Sequence, residues 1–258
     1  SKLANRFYLK SYNSVFKGNE TLENELSHSA RIRYTRFSLY RGLMFRASAN
    51  FNKKIDGFRT AVEFEGINQF LTIQMLENPN KNWGLNTSIR KRIKKIRYKL
   101  SGNYSNSKYL QSVDNNFIIN KNENYTFNIG AETLFQDFPT ISLGFKRSIN
   151  NFTSSNSISQ FITDEPYLNL DYDFLKGLIF SFDYTHYNYK NKQQSIKNKY
   201  TLANTTLLYR KENSAWSYKV EAKNLFNTEF KQSNRFSDYL ISDTKTFILP
   251  RIFMFSIS

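Results

Sequence analysis

Two histidines, a pair of carboxylates and a spread of cationic side chains are the residues of this chain whose types and spacing bear on chemistry. His28 and His186 are far apart, and neither has a second His or Cys at ligand spacing, so no metal site is expected. Asp171 and Asp173 share a parity with Asn169. Such a pair can move protons or bind calcium, but on a polar strand face it reads as hydrated surface. Glu132, Asp183 and Glu221 read the same way. Neither a glycine-rich phosphate loop nor a nucleophile elbow is present, and nothing resembles a catalytic triad. No catalytic, cofactor-binding or metal residue is assigned, and the chain is read as a non-enzyme.

The cations carry more. Lys and Arg number 37 against 21 acids, a formal charge of +16. The densest run, Arg90-Lys91-Arg92-Ile93-Lys94-Lys95-Ile96-Arg97, reads as a solvated turn facing water or lipid phosphates. It lacks the framework that a nucleic-acid site needs, so no nucleic acid is expected. Arg31, Arg33, Arg46, Arg97, Lys99, Lys146, Lys219 and Lys223 fall at the polar positions of alternating segments. Aligned on one face, they would either pair with acids or attract anionic solutes. Tyr184, His186, Tyr187 and Tyr189 form an aromatic cluster in sequence, either an interfacial girdle or a grip for a ligand.

What must position these residues is a set of two-faced strands. In Leu43–Asn52, Phe45, Ala47, Ala49 and Phe51 alternate with Arg46, Ser48, Asn50 and Asn52. A period of two means a strand with one apolar and one polar face. The pattern returns in Ser27–Phe37, Asn82–Arg90, Ile96–Tyr104, Tyr125–Phe135, Ile141–Ile149, Leu168–Phe174 and Trp216–Ala222. At about 9–11 residues, such strands are long enough to cross a bilayer at a tilt. A mean hydropathy of −0.59 and the lack of an 18-residue apolar run count against spanning helices, not against a barrel, in which only alternate residues meet lipid. The chain has no Cys, 24 Phe and 17 Tyr.

Connections alternate in length. Ser38–Gly42, Arg90–Arg97, Gln136–Pro139, Leu175–Gly177 and Lys211–Asn213 read as short turns. Lys53–Lys81, Ser105–Glu123, Asn150–Thr163, Lys190–Asn198 and Phe226–Asp238 read as long loops, the first with a hairpin of its own at Thr60–Phe64 and Phe70–Leu76. In bacterial barrels the short turns face the periplasm. Asn5–Ser14 is a further strand with Phe7 and Leu9 on one face, and Tyr239–Ile257 is a last strand interrupted by Pro250. The expectation is one all-β unit over 1–258: an antiparallel up-and-down transmembrane β-barrel of eleven or twelve strands. A soluble β-sandwich is the alternative architecture.

Three stretches carry a resemblance. Lys223-Asn224-Leu225-Phe226-Asn227-Thr228, Ser237-Asp238-Tyr239 and Leu249–Ile257 resemble the C-terminus of TonB-dependent outer-membrane receptors, most nearly the group with a carboxypeptidase-regulatory-like extension before the plug. Gly18–Glu25 with Ser27-His28 is similar to that family's G-N-P-x-L-x-x-E…S stretch, with Glu20 where the family has Pro. Glu77–Trp83 is similar to a family loop-to-strand junction. The resemblance implies the C-terminal half of a 22-stranded barrel in the cell outer membrane, with the plug and first strands before Ser1 and a few residues after Ser258. It implies Phe253, Phe255 and Ile257 as the barrel-assembly signal. It also implies ligand uptake energised by a TonB complex acting on the absent N-terminal region. Partners are then outer-membrane lipid and, at Lys53–Lys81, a ligand or a surface lipoprotein lid. The alternative function is a receptor-like barrel acting as a structural or scaffold subunit of an envelope complex.

Overall fold

The computed structural model describes residues 6–135, 138–154, 157–175, 177–193, 196–210, 215–236 and 241–258. The described residues are all-β, 82% strand with no helix among them. The strands are β1 (Phe7–Ser11), β2 (Ser14–Lys17), β3 (Leu26–Ser38), β4 (Leu43–Glu65), β5 (Asn68–Ile93), β6 (Ile96–Val113), β7 (Asn116–Thr133) and β8 (Thr140–Ser154), then β9 (Ser157–Phe174), β10 (Leu178–Asn191), β11 (Ile196–Arg210), β12 (Ser217–Lys223), β13 (Phe230–Phe236), β14 (Ile241–Phe247) and β15 (Ile252–Ile257).

Thirteen of these form one sheet. From β3 to β12, each strand pairs antiparallel with the next, and β15 closes on β12. This run holds eleven strands. Among the described residues β3 pairs only with β4 and β15 only with β12, so the sheet is open, not a closed barrel. Among the described residues no second sheet packs on this one, as the sandwich alternative requires; the other sheet is the hairpin β13–β14.

Register turns the alternation of each strand into two continuous faces. One pairing row runs Leu43–Lys91–Tyr98–Ala131–Leu143–Leu168–Tyr184–Ala203. A neighbouring row runs Arg36–Phe45–Ile89–Leu100–Ile129–Phe145–Pro166. On this apolar face Ile32, Leu100, Ile129 and Leu143 stand 73%, 52%, 60% and 54% exposed. The opposite face carries rows such as Thr35–Arg46–Ser88–Ser101–Asn128–Lys146–Glu165. The rows also slide relative to the strand ends. The row that starts β4 at Leu43 crosses β9 at Leu168, well short of its end at Phe174. A sheet of tilted, staggered strands has this property.

Several expectations are corrected. Asn5–Ser14 is no wall strand: its described part forms β1, which pairs with β2, and β2 lies parallel against Gln69–Thr72 of β5. Lys53–Lys81 has the expected hairpin, with Thr60–Phe64 paired to Gln69–Ile73, but the rest is not a loop: it is the outer arms of β4 and β5, paired to the tip at Glu65 and Asn68 across a bulge at Lys54/Asp56. Ser105–Glu123, Asn150–Thr163 and Lys190–Asn198 are likewise mostly paired strand. Tyr239–Ile257 is two strands, not one. Its first part, β14, pairs with β13, and Pro250, which has no N–H to give a ladder, lies outside both strands. The basic turn shrinks to Lys94-Lys95, with Lys94 at φ 52°, while Arg92 and Arg97 pair across the strands. Gln136, Asp137, Lys176, Lys211, Glu212, Asn213, Ser237, Asp238 and Tyr239 lie outside the described residues.

The small apolar core sits in the outer hairpin, not in the wall. Phe16, Val62, Leu71 and Ile73 are buried together, with Leu22 and Phe58 against them. The β6–β7 tip is fastened to it: Phe64 N donates to Asp114 Oδ1 at 2.8 Å, and Asp114 N to Val62 O at 2.9 Å.

Candidate functional site

The polar face is where the sheet gathers functional side chains. Arg31, Arg33, Arg46, Arg97, Lys99, Lys146, Asp171 and Asp173 all point to it by register, on β3, β4, β6, β8 and β9. Two recesses open on it. One of about 710 Å³ is lined by Arg33, Arg46, Ser48, Asn86, Ser88 and Ser101, among others. A second, about 480 Å³, is lined by Arg90, Arg97, Lys99, Glu132, Tyr167 and Asn169, among others.

Pairing divides the cations. Arg97 Nη1 donates to Glu132 Oε2 at 2.9 Å. Lys146 Nζ donates to both oxygens of Glu165 at 3.0 and 3.1 Å. Lys219 Nζ lies 2.8 Å from Glu221, with Lys223 at 3.9 Å. Arg31, Arg33, Arg46, Arg90 and Lys99 make no ion pair among the described residues. The two recesses therefore hold uncompensated positive charge, with one carboxylate, Glu132, in their lining. Asp171 accepts from Ser181 Oγ at 2.8 Å, and no group of three His, Cys, Asp or Glu among the described residues could hold a metal.

Other residues do not assemble as expected. The tyrosine cluster splits, because Tyr184 and His186 sit on the apolar face while Tyr187 and Tyr189 sit on the polar one. Tyr187 stacks on Tyr200 at 4.6 Å, and Tyr189 is buried near Phe161. His186 Nδ1 lies 2.9 Å from Thr201 Oγ1. Phe253, Phe255 and Ile257 lie on the apolar face opposite Ala222, Val220 and Tyr218, and are 69%, 64% and 53% exposed.

At the outer end of the apolar stripes a run of aromatic side chains crosses three strands, with Trp83–Tyr104 centroids 4.6 Å apart and Tyr104–Tyr125 4.7 Å. Beyond it, Glu123 accepts from Asn106 Nδ2 at 2.9 Å and from Tyr104 Oη at 3.2 Å. Its carboxyl is held below the usual range, chiefly by the hydrogen bond from Lys121, whose ammonium is stabilised in return.

Sequence reading missed Arg90, hidden inside a run taken for a turn, although its parity with Ser88 was visible. It also missed the role of Asn224. That side chain is buried, with φ 54°. Its Nδ2 donates to Thr228 O and Leu249 O, each at 2.9 Å, and its Oδ1 accepts from Thr228 N at 2.8 Å. Asn227 Oδ1 accepts from Arg251 N at 3.0 Å. The stretch Asn224–Thr228 is thus a clip that holds the chain entering β15. No family model, curated protein or solved structure matches this chain.

Proposed function

We propose that this chain is part of the wall of a transmembrane β-barrel in an outer-membrane receptor or transporter that takes up a ligand with TonB-dependent energy coupling. The observation that carries the reading is the continuous, exposed apolar face across eleven antiparallel strands, backed by an equally continuous polar face. In water, an exposed apolar area of this extent would drive association. In a bilayer it is the solvated surface, and the polar face becomes the lumen. The sliding register supports strand tilt.

The open edges at β3 and β15 support a larger assembly. Unpaired backbone groups are not tolerated in hydrocarbon, so further strands must close the wall. A 22-stranded barrel of which this sheet makes about half meets that requirement. The receptor part of the reading rests on the resemblance at Lys223–Thr228 and Leu249–Ile257, to which the Asn224 clip gives a physical role. A full-length protein that inserts but works without TonB would be a scaffold subunit instead.

Sided labelling tests the wall. These 258 residues hold no Cys, so single cysteines are introduced in a full-length protein otherwise free of Cys. Leu100→Cys and Ile129→Cys, placed in full-length protein in membranes, should resist a water-soluble maleimide until detergent is added. Ser101→Cys and Asn128→Cys should label from the aqueous lumen. Equal labelling of both sets would end the spanning assignment.

The uncompensated arginines predict selectivity. Single barrels in a KCl gradient should show a reversal potential of the sign for Cl⁻ preference, and Arg33→Glu with Arg46→Glu should move it toward K⁺. A cation-preferring wild type would remove the case for an anionic solute.

A further inference from the structure

The row of the apolar face just beyond the aromatic run is His28–Lys53–Lys81–Lys108–Lys121, one residue from each of five adjacent strands. Directly opposed residues have Cβ atoms about 4.5–5.5 Å apart, and like charges so placed destabilise a sheet. Lys121 is compensated by Glu123 at 2.8 Å. Lys53, Lys81 and Lys108 have no ion pair among the described residues; Lys81 Nζ lies 5.9 Å from the Phe51 ring. These three lysines line a single cleft of about 490 Å³, together with Leu110, Ile119 and one acid, Glu77. On β4 and β5 the lysine ends an apolar stripe: Lys53 follows Phe51, and Lys81 precedes Trp83 and Leu85; on β6, Asn106 stands between Tyr104 and Lys108 on that face.

Resting on the barrel reading, we propose that this lysine row is a binding site for net-anionic, phosphate-bearing lipid headgroups. Three ammonium groups across neighbouring strands match a phosphate-bearing headgroup, which supplies the anion that their mutual repulsion calls for. The occupant is a lipid and not free phosphate because the row borders the apolar stripe. A headgroup on Lys53, Lys81 and Lys108 lays its chains along Phe51, Trp83 and Leu85, which are on the same face. An exposed lysine row on the polar face would have no such continuation.

The test uses the full-length protein in neutral detergent, with native mass spectrometry of the lipid retained from mixed phosphatidylglycerol and phosphatidylcholine. Wild type should retain phosphatidylglycerol in preference. Lys53→Gln, Lys81→Gln and Lys108→Gln should each lower that retention about fivefold. The triple Lys→Arg variant should keep it, and Lys10→Gln, on β1, should leave it unchanged. If the Gln variants do not fold, the wild type decides alone: its unfolding temperature should rise with phosphatidylglycerol and not with phosphatidylcholine. Equal retention of the two lipids by a protein that inserts in membranes overturns this site only. Failure to insert overturns the barrel reading with it. Displacement by millimolar inorganic phosphate would assign the row to free anions and overturn the lipid assignment.

Discussion

Asn224→Ala is expected to lower the stability of the sheet by about 2–4 kcal/mol, read as a fall in the urea midpoint at unchanged slope. Three hydrogen bonds leave with the side chain, and two of the atoms they satisfy, Thr228 O and Leu249 O, belong to the segments that meet at the entry to β15. The backbone adds to the cost, since φ is 54°, where Asn is tolerated and Ala is strained. Asn224→Gly separates the two terms, because glycine relieves the strain but not the lost bonds. It should recover about 1 kcal/mol and no more. Asn224→Asp keeps the acceptor for Thr228 N and loses both donors, so it should fall near Ala. A Gly variant as stable as wild type would show that the clip's hydrogen bonds contribute nothing.

The effect should be local first. Among the described residues β15 is a six-residue edge strand that pairs only with β12. The chain reaches it through Leu249 and Arg251, which Asn224 and Asn227 hold by hydrogen bonds. Releasing that entry frees the strand carrying Phe253, Phe255 and Ile257. Proteolysis at the C-terminal side should therefore rise before global unfolding does.

The two-faced wall was legible because period two is a local property. The parity of Leu43–Asn52 or Tyr125–Thr133 survives unchanged in the structure, and Arg31, Arg33, Arg46, Arg97, Lys99, Lys146, Asp171 and Asp173 fall on one face for that reason. Ser105–Glu123 was read as a loop from its polar composition. Yet a hairpin arm needs only a paired backbone, and Ser105–Val113 finds it in Asn116–Asn124 whatever the side chains. Composition could not report that. β1 and β2 were out of reach for a related reason, since β2 pairs with Gln69–Thr72, more than fifty residues away. The lysine row is the clearest case. Lys53, Lys81, Lys108 and Lys121 are unremarkable one by one, and only the register of three ladders puts them side by side. The unpaired state of Arg33 and Arg46 was open for the same reason, since parity assigns a face but not a partner.

Glycine substitutions within the wall should have unequal effects, and their order tests how the polar face is packed. A Cβ on Gly144 would lie 2.5 Å from both Ile129 O and Tyr167 Oη. Gly130, its cross-strand partner, would meet Tyr167 Oη at 2.8 Å and Leu143 O at 3.1 Å. Tyr167 follows in the same row and lays its ring over the glycines, reaching Asn128 Oδ1 at 3.4 Å. An aromatic over strand glycines covers backbone that would otherwise be bare. Gly144→Ala must therefore displace both a ring and a backbone oxygen, costing about 1–3 kcal/mol, with Gly144→Val worse. Gly130→Ala meets chiefly the movable end of Tyr167 and should cost less. Gly102→Ala, with nothing nearer than Thr87 Cγ2 at 3.6 Å, should be neutral or slightly stabilising, because alanine suits a strand better than glycine does. Adding Tyr167→Ala to Gly144→Ala should return only part of the loss, since the Ile129 carbonyl remains in the way. Full recovery in that double variant would place the whole constraint on the ring, and equal losses at Gly144 and at Gly102, which lies on the apolar face, would show that Gly144 is packed no more closely than an open position.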